Sequence, residues 1–412
     1  MAVFFTGIKK QFYVLLIILA AVYCGVIICT GFKSGNTNLQ GMAYNDSLFA
    51  GSATCKSCHK NIYNTHIGTA HYLTSRPAEK KYIKGSFEPG KNSFTYNRFM
   101  QVILEKKKNG FFQTSYINNT GVQSEPFDIV VGSARKGQTY LYWKENRLFQ
   151  LPLSYYTPLN SWCNSPGYSL TWIKYDRFIP SRCMECHSTY TKVEKEDSTE
   201  TQYNRSSIIY GVDCEKCHGP AAKHVSFHTE NPAITVAKFI ITINKLSQKQ
   251  QLDACALCHS GKREKLKPTF SFKTGDNLDE FSLPAYDSGN AAKLDVHGNQ
   301  TGLLLASKCF KSSLQMNCSN CHNVHKDEAN SPKIFSQRCL TCHSTATQVT
   351  CKFVSTKKIV LSNNCIDCHM PLLPSNKIFL QLDDPQKSTA DFVRTHRIAV
   401  YPEKIKEFIN KK

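Results

Sequence analysis

The stretch NCSNCHNVHK, residues 317–326, has two cysteines three positions apart, a histidine directly after the second, and another histidine three residues later. On a helical turn, Cys318, Cys321 and His322 lie on one face and can reach one ligand together. Two thioether bonds fix the edge of a porphyrin while the histidine binds its iron. A C-x-x-C pair alone would also suit zinc or a redox dithiol, and the histidine that follows favours haem c.

The C-x-x-C-H pattern occurs seven times, once near the N-terminus and six times between residues 183 and 369. The cysteines predicted to bond to haem are Cys55, Cys58, Cys183, Cys186, Cys214, Cys217, Cys255, Cys258, Cys318, Cys321, Cys339, Cys342, Cys365 and Cys368. The predicted proximal iron ligands are His59, His187, His218, His259, His322, His343 and His369. The sequence therefore predicts seven covalently bound haem c groups.

Each haem iron also needs a second axial ligand or keeps one open face, and the candidates are methionine and histidine. The chain has only six methionines, whereas seven histidines lie outside the motifs. The predicted distal ligands are His71, His224, His297, His325 and His396. For His66 and His228 a distal role is an alternative to that of an ordinary surface or core histidine.

The second histidine of the opening stretch, His325, follows the proximal ligand His322 by only three residues. It is therefore too close to reach round to the far face of the same haem. We expect His325 to bind the iron of a neighbouring haem and so to hold two haems together.

The N-terminal residues 1–35 contain Lys9 and Lys10 followed by an apolar run at residues 12–32. This run is close to the ~20 residues that span a bilayer, and a cleaved signal peptide has a shorter apolar region of about 7–15 residues. We predict a transmembrane anchor, with a cleaved signal peptide as the alternative. Either one exports the rest of the chain, as the attachment of haem c outside the bacterial cytoplasm requires. The expected location is the periplasmic side of the cell envelope, anchored in the inner membrane.

Residues 85–181 contain no haem motif and show a different pattern. Alternate residues from Phe94 to Leu104 are mostly apolar, which is typical of a half-buried strand, and Asn109-Gly110 supplies a hairpin turn. The stretch QTYLYWKENRLFQLPL (138–153) also predicts two strands around a polar turn.

The predicted fold class is mainly α, with little regular structure around stacked c-type haems and a small β-rich insert. The predicted segments are a membrane anchor or signal peptide at 1–35, a first haem-binding segment at 50–84, the β-rich haem-free insert at 85–181, a six-haem cytochrome c domain at 182–372, and a C-terminal segment with a distal ligand at 373–412. A short helix is expected near residues 403–411.

The formal net charge is +20, from 51 basic and 31 acidic residues. Seven ferric haems with two propionates each would reduce it to roughly +13. No nucleic-acid motif accompanies this charge. We therefore expect lysines to neutralise propionates and the remaining charge to attract acidic redox partners or anionic substrates.

Several stretches resemble the multihaem c-type cytochromes related to octahaem hydroxylamine oxidoreductase and its tetrahaem electron acceptor. They are GSATCKSCHKNIYNTHIGTAH, GVDCEKCHGPAAKH, DVHGNQ, NCSNCHNVH, CIDCHMP and RTHR. The resemblance covers roughly residues 50–75 and 180–400 and puts His71 and His224 in the family's distal-ligand places. This chain lacks C-x-x-C-K, the lysine-ligated haem motif of ammonia-forming nitrite reductase, and has one motif fewer than the octahaem enzymes.

The predicted function is electron transport through low-potential, mostly bis-histidine haems, since two histidine ligands favour a lower potential than histidine and methionine. The expected partners are redox donor and acceptor proteins, including a donor on the quinol side. The alternative is an oxidoreductase that acts on a small nitrogen or sulfur compound at one five-coordinate haem. The ligand status of His66 and His228 separates the two hypotheses.

Overall fold

The computed structural model describes residues 48–285, 294–329, 331–343, 363–382 and 388–410, which belong to one compact unit, Tyr44–Lys412. The predicted anchor or signal peptide at 1–35 lies outside the described residues. Among the residues that are described, no helix has the length and apolar character needed to cross a membrane.

The strands carry a large share of the regular structure. They are β1 Ser75–Pro77, β2 Ser93–Asn97, β3 Met100–Lys107, β4 Gly110–Ile117, β5 Thr120–Pro126, β6 Ile129–Val131, β7 Gly137–Lys144, β8 Arg147–Gln150, β9 Leu153–Tyr156, β10 Ser161–Asn164, β11 Ser188–Tyr190, β12 Val193–Glu196, β13 Thr201–Tyr203, β14 Ile209–Tyr210, β15 Arg263–Lys265, β16 Ser282–Pro284, β17 Leu372–Gln381 and β18 Ser388–Arg394.

The α-helices are short, from four to twelve residues. They are α1 Ser52–Cys55, α2 Lys60–His66, α3 Ser181–His187, α4 Cys214–His218, α5 Ala222–Glu230, α6 Gln248–His259, α7 Gln300–Leu305, α8 Lys308–Lys311, α9 Pro332–Leu340, α10 Cys365–His369 and α11 Pro402–Asn410. The last of these confirms the short C-terminal helix expected from the sequence.

Two antiparallel sheets organise the strands. An eight-stranded sheet has the order β1-β6-β7-β9-β10-β17-β18, with β8 also paired to β7, and β2 to β5 form a four-stranded meander. Strands β11 and β14, β12 and β13, and β15 and β16 form three separate pairs. The large sheet thus combines strands that precede the second motif with two strands that follow the seventh.

Both hairpins predicted from the sequence are confirmed. Strands β3 and β4 pair from Met100↔Ile117 to Lys107↔Gly110, so the turn lies at Lys108 and Asn109. Strands β7 and β8 pair around Glu145, whose φ of 54° is the left-handed conformation that a tight hairpin turn uses.

The two sheets share an apolar core. Phe94, Val102 and Leu104 alternate along β2 and β3 and are at most 1% exposed. They pack in one cluster with Tyr140 and Trp162 from the larger sheet. The alternation that predicted half-buried strands therefore corresponds to side chains that point into this core.

The predicted mainly α fold class is wrong, because the structure contains about 28% helix and 28% strand, with several sheets. Two physical causes account for the difference. A C-x-x-C-H motif needs only a single helical turn, so seven motifs produce little helix. In addition, the strands β17 (Leu372–Gln381) and β18 (Ser388–Arg394) pair with each other, which the sequence does not signal because Pro374 interrupts the pattern.

Candidate haem-binding site

Each motif folds as a helical turn or lies at the end of one. Motifs two, three, four and seven form the C-terminal ends of the helices α3, α4, α6 and α10, respectively. In the other three, the histidine N–H donates to the carbonyl of the first cysteine: His59 to Cys55 at 2.8 Å, His322 to Cys318 at 2.9 Å and His343 to Cys339 at 2.9 Å. This i to i+4 bond places the two thiols and the imidazole on one face, as a haem attachment site requires.

Side-chain caps fix where several of these turns begin. The Asp213 carboxylate accepts from the N–H of Cys214 at 2.8 Å, and the Asn317 side chain accepts from the N–H of Ser319 at 2.9 Å. Such caps satisfy backbone donors that have no partner inside a short helix.

All seven motifs open into one cavity of about 4140 Å³. Sites for single small molecules measure about 300–1,000 Å³, so this space suits several large ligands side by side. All fourteen histidines of the chain line it: His59, His66, His71, His187, His218, His224, His228, His259, His297, His322, His325, His343, His369 and His396. The residues fit a set of haems, since the thiols and imidazoles that haem c requires surround one shared space.

Backbone carbonyls orient several imidazoles. Each contact joins a ring Nδ1 to a carbonyl oxygen: His218 to Ile241 at 2.8 Å, His369 to Ala399 at 2.9 Å, His224 to Lys238 at 2.8 Å and His228 to Ile234 at 3.0 Å. Because a carbonyl can only accept, Nδ1 carries the proton and Nε2 is left as the metal-binding nitrogen. Sequence reasoning could not find these contacts, since any residue supplies a carbonyl.

Four motif histidines face a histidine from outside the motifs. The centroid distances are 6.5 Å for His59 and His224, 6.1 Å for His218 and His325, 6.0 Å for His259 and His71, and 6.1 Å for His322 and His396. Two imidazoles on opposite sides of one metal would have centroids roughly 6 Å apart, from two metal–nitrogen bonds of about 2 Å and ~1 Å within each ring. The observed spacing suits one iron between each pair.

The other three histidines outside the motifs face no motif histidine. His66 is buried, with Nε2 3.6 Å from the Asp213 carboxylate and its ring 6.2 Å from that of His325. His228 lies beside His224, with ring centroids 4.6 Å apart. His297 places Nδ1 3.4 Å from the Asp391 carboxylate.

Three motif histidines, His187, His343 and His369, have no second histidine ring facing them within the described ranges. The structure therefore brings together four of the five predicted distal ligands with a motif histidine, and His297 stands apart.

Burial keeps the imidazoles of two of these pairs neutral, His71 with His259 and His322 with His396. Loss of solvent lowers the pKa of both His71 and His396 to about 4, with smaller contributions from nearby histidines. Burial also lowers the pKa of His259 and His322. A metal ligand must be the neutral imidazole, so these side chains are ready to bind iron at neutral pH.

Thiols from different motifs are hydrogen-bonding neighbours in four places. The pairs are Cys55 with Cys214, Cys186 with Cys258, Cys255 with Cys318, and Cys339 with Cys365. They put motif one beside three, two beside four, four beside five, and six beside seven. The attachment points of neighbouring motifs are thus in direct contact.

One residue that holds two motifs together had no signal in the sequence. The buried Glu215 carboxylate accepts from the backbone N–H groups of Ala50 at 2.8 Å, Gly51 at 2.9 Å and Ala221 at 2.8 Å. It thereby joins motif three to the segment that enters motif one. The two positions between the cysteines are free in the C-x-x-C-H pattern, so the motif alone did not single out this glutamate.

Comparison with known proteins identifies similar chains. A family model described as cytochrome c554 and c-prime matches residues 173–219, which include motifs two and three. The multihaem cytochrome MtrA of Shewanella baltica (strain OS185) is 28% identical over 182 residues, 39% of this chain and 52% of that protein. The C-type polyhaem cytochrome OmcC of Geobacter sulfurreducens (strain ATCC 51573 / DSM 12127 / PCA) is 31% identical over 100 residues, 24% of this chain and 12% of that protein.

Among solved structures, the outer cell wall cytochrome OcwA has a similar fold, with a TM-score of 0.56 and 16% identity over 87% of this chain and 81% of that one. The matches agree on one class of protein, the multihaem c-type cytochromes. The chain spans about half the length of MtrA and a smaller share of OmcC. The relation to octahaem hydroxylamine oxidoreductase is not among these matches and stays a prediction.

Proposed function

We propose that this multihaem c-type cytochrome binds seven haems and carries electrons along a contiguous series of mostly bis-histidine sites. The observation that supports the proposal most strongly is the single cavity into which all seven motifs and all fourteen histidines open. A chain that bound each cofactor in a separate pocket would not need such an arrangement.

When bound, haem c supplies reversible one-electron chemistry at its iron. The chain's own residues attach, orient and space these sites. Thiol contacts place neighbouring motifs side by side, and the facing rings of His59 and His224 exemplify a pair that holds one iron from both sides. Ligation by two neutral imidazoles favours a low reduction potential.

The protein would work on the periplasmic side of the cell envelope, anchored through its N-terminus, because c-type haem is attached after export. The donor would be a redox protein on the quinol side, and the acceptor a further redox protein. The net positive charge favours acidic partners, whose approach it would accelerate at low ionic strength.

A second candidate is an oxidoreductase for a small nitrogen or sulfur compound. The observation that favours it is that the rings of His187, His343 and His369 face no other histidine in the described part of the chain. An iron left with one axial ligand could bind a substrate, and a buried group such as His66 could supply a proton.

The test begins with the mature protein. Intact-mass analysis should show seven haem increments, and the ferric spectrum should be mainly low-spin. A voltammogram should show reversible oxidation and reduction without a catalytic current on addition of nitrite, hydroxylamine or sulfite. Fewer than seven increments would contradict the count, and a catalytic current would favour the second candidate.

Two histidines on α5 provide a matched pair of variants. His224→Ala should create one additional high-spin iron, because His224 faces the motif histidine His59. His228→Ala, one helical turn away, should create none if His228 is not a ligand. A new high-spin iron from His228→Ala or from His66→Ala would add that residue to the distal ligands and favour electron transfer alone.

A further inference from the structure

Asp391, on strand β18, has a buried carboxylate with three side-chain partners. Its side chain is 5% exposed. Oδ1 lies 3.1 Å from Lys136 Nζ and accepts a hydrogen bond from the Tyr156 hydroxyl at 3.1 Å. Oδ2 lies 3.4 Å from His297 Nδ1. One carboxylate therefore connects the sheet to a histidine that lines the cavity.

The partners hold Asp391 as an anion. The Lys136 ammonium lies 3.1 Å from Oδ1, and the Tyr156 hydroxyl donates to the same oxygen, so both favour the ionised carboxylate. Burial, together with the Asp391 charge, raises the pKa of Tyr156 to about 12, so the tyrosine stays protonated and donates. The negative charge of Asp391 therefore lies 3.4 Å from Nδ1 of the His297 imidazole and can attract a proton on that nitrogen.

The loop that carries His297 is fixed independently. The Asp295 carboxylate accepts from the backbone N–H of His297 at 2.8 Å and from the Ser375 hydroxyl at 2.8 Å. Ser375 belongs to β17, the neighbour of β18 in the sheet. The same hairpin therefore fixes both the backbone of His297 and the carboxylate that faces its ring.

We propose that Asp391 is a positioning residue that orients His297 as the second axial ligand of one iron. The inference rests on the proposed function and explains what holds the one predicted distal ligand that faces no motif histidine. A proton on Nδ1, 3.4 Å from the carboxylate, would leave Nε2 unprotonated and free to bind an iron. The carboxylate also makes the imidazole a stronger donor, which lowers the potential of the iron it binds.

Tyr156 and Lys136 act on the same ligand through Asp391. Each donates to Oδ1 and so reduces the electron density that the carboxylate offers to His297. The sheet that contains no haem motif would in this way adjust the potential of one haem.

The experiment uses the complete haem-loaded protein and measures haem content, the ferric electron paramagnetic resonance spectrum and the individual midpoint potentials. His297→Ala should add one high-spin iron. Asp391→Asn should keep the haem content, shift the signal of one low-spin haem and raise its midpoint potential. In the His297→Ala background, Asp391→Asn should produce no further shift.

Glu105 provides the control. It also accepts from a tyrosine, Tyr116 at 2.9 Å, and pairs with a lysine, Lys107 at 3.1 Å, but no histidine contacts it. Glu105→Gln should leave every potential unchanged. Tyr156→Phe should lower the midpoint potential of the haem whose potential Asp391→Asn raises, because the carboxylate loses a competing donor. If Asp391→Asn loses haem, Tyr156→Phe tests the inference in its place.

Two results would overturn the inference. Unchanged potentials in both Asp391→Asn and Tyr156→Phe, with a new high-spin iron in His297→Ala, would show that Asp391 does not position the ligand. No new high-spin iron in His297→Ala would show that His297 is not a ligand. Neither result affects the electron-transfer proposal, which depends on the haem count and spectrum of the unaltered protein.

Discussion

Residues 94–164 bury their own side chains against one another, whereas the described residues between 294 and 370 line the large cavity. The first region has a core of aromatic and aliphatic residues, including Phe94, Leu104 and Tyr140, that are at most 1% exposed. In the described part of the second region, only Val296, Leu303 and Ile366 are buried hydrophobic residues. Motifs five, six and seven lie in that region.

This difference indicates where each region obtains its stability. Burial of apolar surface is the main favourable contribution to folding, and protein interiors are normally close-packed. In the sheets, side chains bury one another's apolar surface. The residues that line the cavity of about 4140 Å³ do not pack against one another across it. We infer that haem serves as the core of the motif-bearing region, so that cofactor attachment and folding are coupled there.

The largest effect should come from withholding haem. In protein produced without haem attachment, amide hydrogens of α4, α6, α9 and α10 should exchange rapidly, while those of β3, β4 and β7 stay protected. Hydrogen exchange followed by mass spectrometry measures this, with haem-loaded protein as the reference. Equal protection of the helices with and without haem would show that they do not depend on the cofactor.

A change inside the sheet core should lower the stability of the sheets and leave the haem-binding region unaffected. Leu104→Ala removes a fully buried side chain and should lower the free energy of unfolding by about 2–5 kcal/mol, with the haem content unchanged. Chemical denaturation followed by tyrosine and tryptophan fluorescence measures the loss. Val122→Ala, at a position 60% exposed on β5, should stay within about 0.5 kcal/mol of the parent protein. Loss of haem in Leu104→Ala would show that the two regions are not separable.

In the cavity region, His325→Ala should alter an iron rather than the fold. His325 faces His218 at 6.1 Å, so the affected haem should be the one attached at motif three. All seven haems should remain, one iron should become high-spin, and its potential should rise. Combination with His224→Ala should yield two high-spin irons, since His224 faces a different motif histidine, His59. If the double variant had only one high-spin iron, both histidines would be ligands of the same iron.

The smallest effect should come from acidification near His325. Glu328 accepts from Arg338 at 2.7 Å and from the N–H of Asn323 at 3.0 Å, and the hydrogen bonds from Arg338 lower the pKa of Glu328 to about 2. Because the pKa is depressed in the folded state, this contribution is present above the ordinary value of 4.5 and is lost as the pH falls towards 2.

Glu328→Gln should therefore be less stable than the parent protein at pH 7, and the gap should narrow below about pH 4.5. Thermal unfolding of both proteins as a function of pH tests this, and a gap that is constant from pH 7 to pH 3 would contradict it.

The sequence predicted those parts of the molecule that depend on neighbours along the chain. The hairpin between β3 and β4 and the one-turn arrangement of Cys318, Cys321 and His322 both follow from local spacing and are confirmed, although the turn lies one residue earlier than Asn109-Gly110. The argument that His325 cannot bind the far face of the haem at motif five likewise used only its separation of three residues from His322. The assignment of His325 as a ligand stays a prediction.

The parts that depend on distant residues could not be predicted in the same way. The ring opposite His325 is His218, more than a hundred positions earlier, and no spacing rule relates them. The pairing of β17 with β18 was missed because Pro374 interrupts the strand pattern; in the structure the register shifts between Pro374 and Phe379. Strand partners and facing rings are set by packing between distant segments, which a single sequence does not display.

The pairing of β10 with β17, through Asn164 and Gln381, has a consequence for the timing of assembly. A chain is synthesised from its N-terminus, and β17 follows the seventh motif, so β17 is synthesised after all seven motifs. Contacts between residues so far apart in sequence form slowly. All seven attachment motifs are therefore synthesised before the two strands that complete the largest sheet.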